Sequence, residues 1–518
     1  MELRDGYSKV GVLEFEGKRY KTPAIIPIEK LKSLDSGVSL KLKTIDPERF
    51  KILRKERELF VFNVPPTSPE EFVKLLLDSF KLNRVVYAPA IATAYNIPIL
   101  AYLGIDVFDT ALADILAETG VFMTDSGEIL AESLKENFCC CKVCSREGER
   151  VLSNKKLLRE HNLCIMESRV KLTRDLIRRG ELRNFVESEV KHSPFYTAVL
   201  RLFDSHCRNY FPRFRKSKAI FCSQESFSRP EVIYFLKRVS EVYTRKTNGV
   251  LVLPCSAKKP YLLSKTHSTI QNALKEVKVR VNEIIVSSPL VTPREFELCY
   301  PACNYDVAVT GSWGRDEVEF VSDWLAKLLD GFEIAGGYVS GGYRKVLEKA
   351  CEKAGTECKI IEDLKGVKEF VEEYGKKIDL YKDMFRMVST YQFGKDIVEF
   401  LEGRKEKVKI KGKYPEIELI TSKRVARFDR KGMIDVYTPE FLKDSDYAVK
   451  IEDFKPRGTI FAAGIIKAEE AIKPGDVVGF FGDRWMGVGV ARITGWEMEN
   501  LEEGYAIDVK RVQEKFKL

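Results

Sequence analysis

The sequence predicts a multidomain α/β protein that ends in a small β-rich module. Three observations carry this. The chain has 518 residues, too long for a single ordinary core. Apolar strand-like runs alternate with helix-period segments through most of its length. Beyond about residue 436 short strands are punctuated by glycines, with no helical period. Apolar residues at 44% and charged residues at 31% describe a globular protein rather than a disordered one.

The formal net charge is +9, with 86 basic residues largely offset by 77 acidic ones. That balance is compatible with a nucleic-acid partner without requiring one. The opening MELRDGYSKV has no apolar signal region, which predicts a reducing, cytoplasmic setting. There the clusters among the 12 cysteines mean metal binding or catalysis rather than disulfides. Val85–Ile105 carries no charge, but Pro89, Asn96 and Pro98 break it. It reads as core strand plus loop, not a membrane helix, so no membrane partner is expected.

Residues 1–195 form the first expected domain. GVLEFEGKRYKTPAIIPI reads as strand, turn, strand. Pro69–Phe80 places Phe72, Leu75, Leu76 and Phe80 on one helical face. Val85–Ala88 and Leu103–Phe108 read as strands, the second leading to Asp109. The alternation suggests a reduced barrel. FCCCKVC follows, in which Cys139, Cys141 and Cys144 give C-x-C-x-x-C, and His161 opens a strongly helical segment. Three thiolates and an imidazole make a closed tetrahedral zinc site, typically structural. Cys140 and Cys141 can exchange roles in this register. His192 and His206 have no comparable context.

Residues 196–365 form the second domain, a mostly parallel α/β core. Pro230 opens a helix whose buried face is Val232, Phe235, Leu236, Val239 and Val242, ended by Asn248–Gly249. The strand Val250–Leu253 stops at Pro254 and is followed at once by Cys255. A helix over Ser268–Val277, a strand Glu283–Val286, a strand Asp306–Val309 and a helix Glu317–Leu329 come next. In one parallel sheet, the loops carrying Cys255, Ser287–Ser288 and Thr310–Gly311–Trp313 converge beyond the strands' carboxyl ends. No G-x-G-x-x-G fingerprint or Walker lysine is present, so nucleotide hydrolysis is unsupported.

Residues 366–435 form a small α+β connecting domain. Val367–Lys377 reads as a charged linker helix and Asp379–Glu402 as amphipathic and aromatic. Lys423, Arg424, Arg427 and Arg430 either contact phosphates or form a solvated face. Residues 436–518 read as the barrel-like β module.

The richest stretch is VLVLPCSAKKPYLLSKTH, Val250–His267. It sets a thiol at a strand end among Lys258, Lys259, Tyr261, Ser264 and His267. Cations and imidazole lower a thiol's pKa, and the thiolate is the nucleophile. A buried structural cysteine beside solvated lysines is the alternative.

Several of these segments resemble known families. GTIFAAGII and IKPGDVV are similar to PUA domains, which bind structured RNA, with Gly458, Phe461 and Gly464 as candidate RNA contacts. DMFRMVSTYQFGKDIVEFL and SKRVARF resemble the domain that precedes PUA in archaeal tRNA-guanine transglycosylases. LGIDVFDTALADILAETG resembles the strand bearing that family's nucleophilic aspartate, which maps to Asp109. The C-x-C-x-x-C…HN pattern resembles its zinc site. Its Ser-Gly-Gly-Phe-Gln loop has no counterpart here; Asp125–Gly127 gives DSG elsewhere.

PCSAKKPYLLSKTH fits the pattern P-C-x-x-x-K-P-Y-x-x-S-x-x-H of the archaeosine synthase family, and VSSPLVTPREFE and YPACNYDVAVTGSW also resemble it. The resemblance implies a truncated transglycosylase-like domain and a cysteine-centred α/β core. It implies conversion of the nitrile of 7-cyano-7-deazaguanine, at position 15 in the tRNA D-loop, to a formamidine. The amine donor would be lysine, glutamine or ammonia, and the lysine route adds a radical-SAM partner. A homodimer fits the same picture. Cys255 would be the nucleophile, Lys259 would activate the thiol or protonate the nitrile, and His267 would shuttle protons. Ser264 and Tyr261 would orient these groups, unless Tyr261 simply packs beneath the loop. Asp109, Ser287, Ser288, Thr310, Gly311 and Trp313 would line the substrate site. The alternatives are base exchange through Asp109 and a noncatalytic tRNA-binding subunit.

Overall fold

The structure, a computed structural model, describes residues 3–15, 18–27, 59–61, 68–80, 85–206, 211–308, 311–429, 432–502 and 504–514. They fall into two compact units, Met1–Phe211 and Pro212–Leu518.

In the first unit four parallel strands form one sheet: β1 (Ala24–Ile26), β2 (Leu59–Val61), β3 (Val85–Ala88) and β4 (Val107–Asp109). Their order is β1-β4-β3-β2. This is half the complement of a closed (β/α) barrel. Helix α1 (Pro69–Phe80) buries Phe72, Val73 and Leu76 on the face its periodicity marks.

The uncharged span resolves differently from the expectation of strand plus loop. Ile97–Tyr102 is a helix, α2, with every residue buried and a proline in its first turn, where the missing N–H costs nothing. The strand expected from Leu103 begins only at Val107. Among the described residues no helix is long and apolar enough to cross a membrane. Helix α3 (Ala111–Glu118) follows β4. The 25-residue helix α4 (Lys155–Arg179) starts where the Asn154 side chain accepts from Lys156 N and Leu157 N, as an N-cap should.

The second unit is built on a five-stranded sheet. Its strands are β6 (Gly249–Pro254), β7 (Asn282–Val286), β8 (Val291–Pro293), β10 (Ile334–Gly337) and β11 (Glu357–Ile360), in the order β8-β7-β6-β10-β11. β6 runs parallel to both neighbours, and only β8 is antiparallel. The run VLVL is apolar throughout because both faces of β6 are covered. Val250 and Val252 pack toward α5 (Pro230–Val242), α7 (Arg315–Leu329) and α8 (Gly341–Ala354). Leu251 and Leu253 pack toward α6 (Lys265–Ala273) and α9 (Leu364–Tyr374).

Three expectations are corrected. α5 ends at Val242, and Gly249 instead begins β6. The strand expected over Asp306–Val309 is β9 (Tyr305–Val307), and it pairs with β5 (Ala219–Phe221) in a separate two-stranded sheet. The Trp313 loop therefore does not leave the same sheet as Cys255. α9, expected as a linker, buries Val367, Phe370 and Val371 against β6, so it is part of the core.

Beyond it come α10 (Leu380–Phe393), α11 (Ile397–Gly403) and an antiparallel meander of β12 (Lys409–Lys413), β13 (Glu416–Ile420), β14 (Arg424–Phe428) and β15 (Ile434–Val436). A six-stranded sheet closes the chain: β16 (Ala448–Ile451), β17 (Thr459–Phe461), β18 (Ile465–Ala468), β19 (Val477–Phe481), β20 (Trp485–Ala491) and β21 (Tyr505–Glu514). Their order is β17-β21-β20-β19-β16-β18.

Candidate active site

Cys255 continues the register of β6, its N–H donating to Val286 O at 2.9 Å. It sits where ligands bind in open α/β sheets, beyond a strand's carboxyl end. The thiol is buried, and its Sγ lies 3.2 Å from the hydroxyl of Tyr343 on α8. Burial pushes the Tyr343 phenol well above its ordinary value, and the neighbouring thiol adds to this. The hydroxyl therefore stays protonated and can donate to a thiolate.

Two glycines make that approach possible. Gly341 has φ +55, and a Cβ on Gly342 would lie 2.4 Å from Trp313 Cδ1. Gly342 N–H donates to Gly311 O at 3.0 Å. The start of α8 thus closes onto the Gly311–Trp313 loop, and the Trp313 ring packs edge-on to Tyr343 at 5.0 Å.

Lys259 points its ammonium over the Tyr305 ring, 3.9 Å from the centroid. Its Nζ is buried and has no hydrogen-bond partner among the described residues. Burial lowers its pKa, while the Cys255 thiolate pulls it back up. Beneath it runs a hydroxyl relay. Tyr305 donates to Ser287 Oγ at 2.5 Å, so Tyr261, 2.7 Å away, donates to Tyr305.

His267 has a different place from the one its spacing suggests. Its Nδ1 accepts from the Arg294 guanidinium at 2.9 Å, and its Nε2 faces Pro254 O at 3.0 Å. Both nitrogens are engaged, and the proton is therefore on Nε2. Burial, then the Arg294 charge, lowers its pKa to about 4. It is a neutral strut beneath the end of β6. Arg294 also binds Glu283 and Glu297, all three buried, and Glu297 accepts from the Tyr414 hydroxyl. Ser264 caps α6, accepting from His267 N at 3.2 Å.

Ser288 lines a cavity of about 420 Å³ together with Ser312, Gly314 and Arg315; Cys255 is not on its wall. Thr310 lies outside the described residues. Arg424 pairs with Glu418 at 3.0 Å and Arg427 with Asp435 at 3.8 Å, while Lys423 is exposed. On the last sheet Phe461 is exposed, its ring 5.1 Å from that of exposed Tyr505. Gly458 has φ +71, and Gly464 lies against Phe454.

In the first unit Asp109 ends β4. Its carboxylate accepts from Tyr87 OH at 2.7 Å, Ala90 N at 2.9 Å and Ala111 N at 2.8 Å. The ligand atoms of Cys139, Cys141, Cys144 and His161 all lie within 4.8 Å of one another. His161 Nε2 faces Met123 O at 2.9 Å, leaving Nδ1 toward the thiols of Cys141 and Cys144 at 3.5 and 3.2 Å. The bond to the Met123 carbonyl fixes the metal-binding tautomer, so the set fits a tetrahedral ion. Cys140 is exposed and outside the cluster, which resolves the register.

Four family models match consecutive parts of the chain. Queuine tRNA-ribosyltransferase matches residues 66–194, a domain of unknown function 232–370, a pre-PUA domain 378–442 and a PUA domain 452–513. Archaeosine synthase subunit alpha of Methanosarcina acetivorans is 34% identical over 484 residues, covering 85% of this chain and 77% of that protein. The chain belongs to the archaeosine synthase family. Archaeosine synthase of Haloferax volcanii is 29% identical, covering 82% and 76% of the two chains. The tRNA-guanine(15) transglycosylase of Methanothermobacter thermautotrophicus is 24% identical, covering 79% and 63%. A crystal structure of a protein of unknown function is 40% identical with a TM-score of 0.46, covering 54% of this chain and 99% of that one.

Sequence reasoning missed three site residues of this archaeosine synthase family member. Tyr343 was hidden in a glycine-rich transition, and Tyr305 in YPACNYDVAVTGSW. Arg294 carried a usable signal. A charged PREFE inside an otherwise apolar segment implies paired buried charges.

Proposed function

We propose that this chain converts the nitrile of 7-cyano-7-deazaguanine, at position 15 in the D-loop of tRNA, to an amidine by covalent catalysis at Cys255. The relatives named archaeosine synthase and the PUA domain support a tRNA-modifying enzyme of archaeosine biosynthesis. The observation that carries the finer reading is the buried Lys259 ammonium, without a hydrogen-bond partner among the described residues, in the loop of a thiol just past the end of the central strand.

The cycle begins from a Cys255 thiolate beside the Lys259 ammonium, the thiol proton having passed to the lysine. The thiolate adds to the nitrile carbon, one C–N π bond breaks, and Lys259 returns the proton to the nitrile nitrogen. A thioimidate results. The donor amine then attacks the same carbon and loses a proton to neutral Lys259, and the C–S bond breaks. Tyr343 donates to the departing thiolate. Splitting the addition this way makes a poor electrophile reactive. Tyr261, Tyr305 and Ser287 hold the loop, His267 and Ser264 position it, and Ser288, Gly311 and Trp313 border the base.

Lysine, glutamine and ammonia are the candidate donors. With lysine, the amidine carries the amino acid until a second, radical-SAM enzyme cleaves it. A homodimer in the cytoplasm completes the proposal. Zinc held by Cys139, Cys141, Cys144 and His161 would brace the first unit. Lys423, Arg424, Arg427, Gly458, Phe461 and Gly464 are the proposed tRNA contacts.

Nucleoside mass spectrometry tests the reaction after nitrile-bearing tRNA is incubated with the purified chain and each donor. The mass gained identifies the donor. Conversion at the native rate by Cys255→Ala would sink covalent catalysis, and exchange of guanine for free base would sink the assignment.

A further inference from the structure

A second cleft, of about 820 Å³, lies on the outer side of α6. Its size is within the ~300–1,000 Å³ of small-ligand sites. The same short helix buries His267 against the end of β6 and turns Ser268, Gln271 and Asn272 to this cleft. The opposite wall comes from the connecting domain: Tyr381 at the start of α10, and Lys413 and Tyr414 at the end of β12. Tyr381 and Tyr414 stack, with ring centroids 6.1 Å apart and planes 20° from parallel. Tyr414 is anchored through its hydroxyl on Glu297, whereas Tyr381 is exposed.

Charge at the cleft is lopsided. Lys413 is exposed and makes no ion pair among the described residues. Arg280 is held toward the cavity by its bond to Gln271 Oε1 at 2.7 Å. The lining carboxylate, Asp379, caps α10 by accepting from Lys382 N. Exposed Lys376, Lys377 and Lys411 are neighbours in sequence of lining residues. An aromatic platform, the exposed Asn272 amide and cations on one rim are what a single unpaired nucleotide requires.

We infer that this cleft binds one unpaired nucleotide of the RNA substrate, its base stacked on Tyr381 and its phosphate held by Lys413 and Arg280. The inference rests on the reading that RNA is the substrate, and not on the chemistry assigned to Cys255. An occupant would also brace α6, tying engagement of the tRNA to the helix that carries His267.

The test is equilibrium binding of an unmodified tRNA transcript to the full-length chain across a salt series. Tyr381→Ala is expected to weaken binding about tenfold, the scale of one lost base stack, and Tyr381→Phe to restore it. Lys413→Ala is expected to weaken binding and lower the salt slope by about one. Being an exposed strand position, it keeps the test decisive should Tyr381→Ala fold poorly. The RNA reading and the cleft fail separately: no binding by the native chain would sink both, whereas native binding by the cleft variants would sink the cleft alone. Native affinity and salt slope in both cleft variants would overturn the inference. So would a raised KM for the amine donor with RNA binding unchanged, which would make the cleft the donor's site.

Discussion

Asp109 and Cys255 occupy equivalent positions in different sheets. Each ends a parallel strand, each is buried, and each is a residue type that acts as a nucleophile. Their surroundings differ. The Asp109 carboxylate accepts three hydrogen bonds, from a tyrosine and two backbone amides. Burial pushes its carboxyl up, and those bonds pull it back. Among the described residues the Cys255 sulfur has one hydrogen-bonding contact, the Tyr343 hydroxyl, and the nearby Lys259 ammonium has none. Three of the Asp109 carboxylate's roughly four acceptor sites are thus filled, and we propose a structural role for it. Unmet bonding capacity beside a thiol is what an incoming substrate can fill, since an orphaned buried charge otherwise costs stability for nothing.

The contrast can be broken by experiment. The largest effect on stability should come from Arg294→Ala, which strands Glu283 and Glu297 without their cation. Urea unfolding should show a loss of about 3–5 kcal/mol. Next, Asp109→Asn should cost about 1–3 kcal/mol while nitrile conversion per folded molecule stays native. If conversion vanished from a well-folded Asp109→Asn variant, the two strand ends would have to exchange roles.

Glu295 gives a smaller, pH-dependent effect. Its Oε2 is buried without a partner among the described residues, and burial raises its pKa from 4.5 to about 7. The folded state thus holds a proton that the unfolded chain releases earlier. The associated stability is fully present below about pH 4.5 and is lost as pH rises through about 7. Glu295→Gln should flatten unfolding free energy against pH across that window. Last, Ser264→Ala removes the cap of α6 and should cost about 1 kcal/mol in the same assay, with kcat falling only as far as His267 is displaced.

Local chemistry made part of this molecule legible. VLVLPC announced a strand covered on both faces with a thiol at its end, and the C-x-C-x-x-C spacing announced three clustered thiols. Spacing also brought His267 to the strand carrying Cys255. It could not say which way the ring would face, because that is fixed by Arg294, 27 residues further on. Tyr343 reaches Cys255 across 88 residues. β9 leaves the main sheet through pairing with β5, which no local pattern encodes. α9 looked like a linker because its charged face is the one composition reports, while Phe370 and Val371 do the packing. Contacts made at long range between ordinary residues were what the sequence concealed.

The link from His267 through Arg294 and Glu297 to Tyr414 has a practical meaning for anyone wishing to move this thiol loop to another scaffold. The loop borrows its rigidity from a tyrosine in the connecting domain. Grafted alone, PCSAKKPYLLSKTH would carry its nucleophile and leave its foundation behind. A working transplant would have to include the guanidinium, the carboxylates on either side of it and the tyrosine at the far end.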